Sequence, residues 1–304
     1  MQTKLTVNIG RLKLKNPVLV ASGTFGYAEE FRDFLDLKAL GAVVSKTITL
    51  KARQGNPPAR TCETPEGMLN SIGLENPGVE VFLREKLPTL VKIGVPVIVS
   101  IASESHPDEF VELARRLDKI RVIDALELNI SCPNLKSKGL IAQDARATHN
   151  LVKSVRRVTR KTLITKLSPN VTDIAEIARA AASADSDAVS LINTLTGMSI
   201  DVSRRRSRLA AVTGGLSGPA VRPVAVRMVR EVYQKIKIPI IGMGGITDTE
   251  SALEFIIAGA TAVSVGTANF VNPAASTQII RGLKAYLSEH KIKDMHTLIG
   301  SLKT

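Results

Sequence analysis

"IPIIGMGGITDTESALEFIIAGATAVSVGTANF", residues 238–270, decides the fold. An apolar run (238–243) stops at glycines, a helical pattern follows ("DTESALEFIIAG"), and a second apolar run (261–267) again ends in glycine. Near-continuous apolar, β-branched runs joined by an amphipathic helix read as two parallel strands and their crossover. Working outward, the same kind of run recurs at 17–22, 41–49, 95–102, 125–131, 162–168 and 187–194, which makes eight in all. Helical patterns follow most of them, at 106–120, 144–160, 171–184, 219–236 and 272–290. Eight such units suit a closed (β/α)8 TIM barrel better than an open sheet. The alternative, a doubly wound sheet, lacks its GxGxxG after the first strand.

Composition agrees. The chain has 304 residues, 44% of them hydrophobic, with no Trp, three Tyr and seven Phe, so the core must come from Val, Ile, Leu and Ala, as in a buried parallel sheet. One barrel absorbs this length, and the reading is one domain over residues 1–304. Two stretches break the rhythm, 51–78 after the second strand and 195–218 after the sixth. Both are too long for simple connections and read as functional loops or small β elements beside a site.

The net charge is +13. Its basic residues are dispersed over helices, apart from the run Arg204, Arg205, Arg206 and Arg208, and no aromatic-interleaved basic motif accompanies them. Nucleic acid is therefore not the expected partner. The N-terminal residues carry no apolar signal core, and no window approaches the ~20 apolar residues of a spanning helix. A cytoplasmic location, with no membrane attachment, is expected. Cys62 and Cys132 are the only cysteines, too few for a disulfide scaffold or an all-cysteine zinc site. Four scattered histidines offer no metal-ligand spacing, so no metal is expected.

A barrel does its chemistry at the carboxyl ends of its strands. Those ends read Ala21-Ser22, Lys46-Thr47, Ser100, Asn129 with Cys132, Lys166, Asn193-Thr194, Gly244-Gly245 and Gly266-Thr267. Two lysines closing apolar strands are costly unless they meet an anion or snorkel to water. Glycine-rich turns after the seventh and eighth strands are where barrels commonly bind phosphate, and "TGGLSGP" (213–219) adds a third such turn. A phosphate anchor, lysines, amides and one thiol together would suit a flavin mononucleotide and a small polar anion. For Cys132 in "LNISCPN" the residues alone leave open a packed core thiol or a working chemical group.

"ELNISCPN", "NSIGLENPG", "SKTITL", "NTLTGMSID", "GGLSGPAVRPVAVRMV", "IPIIGMGGI" and "VGTANF" together resemble dihydroorotate dehydrogenase, most closely its class 1, NAD-linked 1B type. The resemblance runs in order from about residue 5 to residue 287. It implies one FMN per chain and oxidation of (S)-dihydroorotate to orotate in pyrimidine synthesis. Cys132 would be the catalytic base. Lys46, Asn70, Ser71, Ile72, Gly73, Leu74, Asn129, Asn134, Asn193 and Thr194 would hold substrate. Ala21, Ser22, Lys46, Thr47, Ser100, Asn129, Lys166, Ile192, Gly218, Gly244, Gly245, Gly266 and Thr267 would hold the FMN.

The chemistry suits those roles. The reaction removes a proton from C5 and a hydride from C6. A thiol with an ordinary pKa of about 8.5 has some thiolate at neutral pH, whereas serine would need far stronger activation. Asparagine offers donor and acceptor without charge, matching the amide edges of a pyrimidine. The resemblance also implies a partner subunit carrying FAD and a 2Fe-2S cluster, on a homodimeric core to give a heterotetramer. The chain's own cysteines cannot hold such a cluster. The alternatives are a flavin barrel for another dihydropyrimidine, or fumarate as acceptor. Three places depart from the family: "LKSKGLIAQDARAT" after "NISCPN", over the lid at 135–143; Ser103 where a glycine is usual; and "DVSRRRSRLAAVTGG", which is more basic than the resemblance implies.

Overall fold

A computed structural model describes residues 3–131 and 141–303. Eight parallel strands close into a barrel in chain order: β1 (Val18–Val20), β2 (Ala42–Val44), β3 (Val97–Ile101), β4 (Ala125–Asn129), β5 (Thr162–Lys166), β6 (Ala188–Leu191), β7 (Ile240–Gly242) and β8 (Ala262–Val265). β8 pairs with β1 to seal the ring, with Val263 opposite Val18 and Val265 opposite Val20. The strands are buried along nearly their whole length, which is why they read as unbroken apolar runs rather than alternating ones.

The crossovers form because one stripe of each is apolar. In Asp108–Asp118 the buried residues are Phe110, Leu113, Ala114 and Leu117, spaced three and four apart so that they share one face. Side chains fix where helices begin. Asp144 accepts from the amide of Ala147, Asp173 from those of Ala175 and Glu176, and Asp248 and Ser251 form a reciprocal capping box. The helix read over 144–160 ends at Arg156. There the chain turns back, with the Arg156 guanidinium donating to the carbonyl of Lys161 at 2.8 Å and pairing with Asp187 at 2.8 Å. Sequence periodicity misses the N-terminal hairpin Val7–Ile9/Leu12–Leu14 and the helical stretch Gly78–Lys92, whose middle part is a π-helix. The hairpin turns at Gly10, in the left-handed region, and lies against Thr162 and Asp187 at the amino-terminal ends of β5 and β6.

At the opposite, carboxyl-terminal end, the two long stretches meet. Thr61–Thr64 and Gly67–Asn70 from the first, and Leu195–Met198 and Thr213–Ser217 from the second, make one antiparallel four-stranded sheet. Asn70 pairs with Gly215, and Leu69 with Leu216. Gly215 is required by crowding, since a Cβ there would stand 2.0 Å from Thr194 Oγ1. Ser103, at the departure from the family pattern, is buried and its hydroxyl donates to the carbonyl of His106 at 2.6 Å. Among the described residues, no helix is long and apolar enough to cross a membrane.

Candidate active site

The carboxyl ends of β2, β3, β4 and β6 carry a continuous chain of side-chain hydrogen bonds. Thr47 Oγ1 and Ser100 Oγ lie 2.9 Å apart. Asn129 Nδ2 donates to Thr47 Oγ1 at 3.4 Å, and Asn193 Nδ2 donates to Asn129 Oδ1 at 3.3 Å. Asn193 Oδ1 in turn accepts the amide of Thr194 at 2.9 Å, and Asn170 Nδ2 donates to the Thr194 carbonyl at 3.0 Å. The amides of Asn129 and Asn193 thus have both ends engaged by neighbours, which sets their orientation before any ligand arrives. Ser100 is fully buried and stands behind Thr47. Asn170 has no place in the motifs that point to the site; its position on the loop after β5 carries no sequence signal.

Lys166 is the last residue of β5 and is 6% exposed. Lys46 lies two residues past β2 and is half-buried, its amide donating to the carbonyl of Gly26 at 2.8 Å. Ala21 and Ser22 follow β1, and the Ala21 amide donates to the Val265 carbonyl at 2.9 Å. Two positive charges therefore stand on the same face as the amide chain.

The glycine turns converge next to it. Gly244 and Gly245 both have positive φ, at 124° and 78°. A Cβ on Gly244 would meet Ile192 and Ala225, and one on Gly245 would stand 2.8 Å from the Gly218 carbonyl, so β7's turn, Ile192 and the 213–218 strand end are in close contact. Thr267 Oγ1 donates to Ser217 Oγ at 2.8 Å, bringing β8's turn to the same place. Gly266 differs from the other glycines here. A Cβ on it would meet only Ala21, at 3.7 Å, so its face opens on free space. The helix Arg222–Tyr233 continues from the turn Pro219–Val221, whose amides are already engaged: Ala220 donates to the Glu66 carbonyl, Val221 to that of Gly218 and Arg222 to that of Pro219. The glycine turns after β7 and β8 and the open face of Gly266 form a cradle suited to a phosphate.

Asn70 enters from the four-stranded sheet, its Nδ2 donating to the Gly215 carbonyl at 3.2 Å. Residues 71–74 form a strap held by two asparagines that sequence motifs do not single out as functional. Asn56 Nδ2 donates to Ser71 Oγ at 2.8 Å, and the Asn56 amide donates to the Ile72 carbonyl at 3.0 Å. Asn76 is buried, and its Nδ2 donates to the Leu74 carbonyl at 2.7 Å while its Oδ1 accepts the amides of Thr49 and Gly78. Gly73 and Leu74 both have positive φ, at 75° and 56°. For leucine that conformation costs roughly 1 kcal/mol, offset here by the two asparagine clamps.

Cys132, Asn134 and the lid to residue 140 lie outside the described residues. Their neighbour Ser131 lies two residues past β4, so the chain enters that segment from the strand end that bears Asn129. Cys62 stands apart, half-buried on the four-stranded sheet. Among the described residues, no cluster of three or more His, Cys, Asp or Glu is placed to bind a metal.

Comparison of the sequence with known proteins agrees with this arrangement. The dihydroorotate dehydrogenase family profile matches residues 4–287. The catalytic subunit of dihydroorotate dehydrogenase B (NAD(+)) from Trichlorobacter lovleyi is 54% identical over 304 residues, covering 100% of both chains. The protein of the same name from Desulforudis audaxviator is 57% identical over 302 residues, 99% of this chain and 98% of that one. That from Pelobacter propionicus is 52% identical over 304 residues. With matches of this extent across barrel, insertions and glycine turns alike, the chain belongs to the dihydroorotate dehydrogenase family.

Proposed function

We propose that this chain, as a single barrel domain, oxidises (S)-dihydroorotate to orotate on one bound FMN and passes the electrons through a partner subunit to NAD+. The observation that carries this reading is the amide chain Thr47–Asn129–Asn193 standing beside the glycine cradle on one barrel mouth. A pyrimidine presents alternating donors and acceptors to the first, and a phosphate suits the second.

FMN fits the groups present. Gly218, Gly244, Gly245, Gly266 and Thr267 would take its phosphate; Ala21, Ser22, Thr47, Ile192 and Lys166 would line the rest, with Ser100 supporting Thr47. When bound, it supplies the acceptor for the hydride from C6. The chain's own residues do the remaining work. Asn70, Asn129, Asn134, Asn193 and Thr194 hold the ring, and the 71–74 strap covers it. Lys46 balances the substrate carboxylate. Cys132 Sγ takes the proton from C5, a task for which a thiol near its ordinary pKa of about 8.5 is suited at neutral pH. Closing the mouth over the ring would exclude water and strengthen each of these contacts.

The catalytic-subunit name of the relatives supports a separate electron-transfer chain. In this reading that chain carries FAD and a 2Fe-2S cluster and joins a homodimer of this one, in the cytoplasm. The test is the visible spectrum of the purified chain under anaerobic conditions. A flavin spectrum bleached by dihydroorotate is the expected result. No flavin, or bleaching by dihydrouracil alone, would overturn the assignment.

A further inference from the structure

The barrel interior holds a carboxylate that the reaction above does not use. Glu127 lies on β4 two residues before Asn129, so both side chains point to the same, inner face. It is 2% exposed. Its Oε2 accepts from Ser190 Oγ at 3.0 Å, and its Oε1 is buried with no hydrogen-bond partner among the described residues.

The strand register says where that carboxylate sits. Glu127 pairs with Ile164 and Asn129 with Lys166 on β5. On the other side of β5, Ile164 pairs with Ala188 and Lys166 with Ser190. To reach Ser190 from Glu127 the side chain must cross the inner face of β5 and climb one rung. Its carboxylate then lies inside the barrel at the level of Lys166, beneath the mouth. Lys166 is itself buried, at 6% exposure. The interior also holds the buried hydroxyls of Ser100, opposite Glu127, and Ser190, and among the described residues no ion pair within 4.0 Å joins Glu127 to Lys166. A buried carboxylate with an unspent oxygen and a buried lysine are each costly, and at low dielectric each lowers the cost of the other without direct contact.

We propose that Glu127 is the positioning residue for Lys166: the carboxylate, anchored by Ser190, is the counter-charge that keeps the Lys166 ammonium inside the barrel and aimed at the bound cofactor. The inference rests on the FMN reading above. It assigns the interior below Asn129 an electrostatic role toward the ligand rather than one of packing alone.

The experiment is a double-mutant cycle read by FMN titration of the apoprotein. Glu127→Gln keeps the shape and an acceptor for Ser190 but removes the charge. It should weaken FMN binding roughly tenfold when Lys166 is present, and by less than about twofold in a Lys166→Met background. Equal losses in both backgrounds, or no loss in either, would overturn the proposal. A carboxylate with a structural role alone would lower Tm equally in both backgrounds and leave the ratio of FMN dissociation constants unchanged. If Glu127→Gln does not fold, Ser190→Ala, which frees the carboxylate from its anchor, is carried through the same cycle with the same expectation. If the unmutated apoprotein takes up no FMN, the functional reading itself fails and this inference falls with it. FMN uptake without coupling sinks only the role of Glu127.

Discussion

Asn129 illustrates how one residue type at a strand end becomes specific. Its Oδ1 accepts from Asn193 and its Nδ2 donates to Thr47, so the amide cannot flip without breaking both bonds. In the proposed reaction the ring it would hold gives up its C5 proton to Cys132. Replacing Cys132 by serine should preserve FMN uptake and orotate binding while slowing flavin reduction by dihydroorotate by orders of magnitude at neutral pH, because a hydroxyl is far less acidic than a thiol. Stopped-flow bleaching measures it, and near-normal bleaching would remove Cys132 as the base. Cys62→Ser, on the four-stranded sheet away from the amide chain, should leave that rate close to unchanged. The motif "LNISCPN" directs attention to Cys132 and its asparagines. It does not reveal Glu127, because in a parallel strand buried on both faces the apolar pattern does not distinguish the barrel interior from its outer surface. Asn56 and Asn170 are equally hidden, since each reaches the carbonyl of a distant residue, Ser71 and Thr194, that no local spacing encodes.

Among the elements, the helix Thr249–Ala258 shows how a crossover is held against its strand. Asp248 and Ser251 cap each other, and Gly259, in a positive-φ conformation, ends the helix against the ring of Tyr233. Burial pushes the Asp248 carboxyl up, but the amide and hydroxyl of Ser251, aided by Thr247 and the charge of Arg222, outweigh it and hold the group below its ordinary 3.8. A depressed folded-state pKa gives stabilisation that is full above the unfolded value and is lost as pH falls through the folded one. Asp248→Ala should therefore cost about 1 kcal/mol at neutral pH, a magnitude typical of lost caps. The gap between variant and parent should close as the solution is acidified through the carboxylate range. Thermal unfolding at a series of pH values checks this, and a gap independent of pH would argue against the cap as its source. The strands and six of the crossovers are legible in the sequence, because apolar runs and helical spacing are local signals. The hairpin of residues 7–14 is missed because its short strands alternate buried and exposed residues instead of forming the unbroken apolar runs of the barrel.

For the whole molecule, the two long insertions are visible in the sequence only as excess length. What they build is not visible, because the pairing of residues 67–70 with 215–217 joins segments about 145 residues apart. Such non-local antiparallel contacts have no signature in a single chain. The net charge of +13 is felt by whatever approaches the molecule. In the proposed assembly that is an electron-transfer subunit, and an acidic face on it would speed encounter at low salt.

The shared sheet also sets how the site breathes. Asn70 arrives on the first insertion and Thr194 stands at the root of the second, and Gly215 of the second insertion accepts from Asn70 and is packed against Thr194. Neither insertion can lift away without breaking the ladder that holds the other. In native-state hydrogen exchange, the ladder amides of residues 67–70 and 213–217 should therefore open as one cooperative unit, with a common free energy lower than that of the barrel strands. Exchange of the two segments at unrelated free energies would show that the insertions move independently. If they open together, substrate entry and product escape share one gate, and a mutation on either insertion changes both.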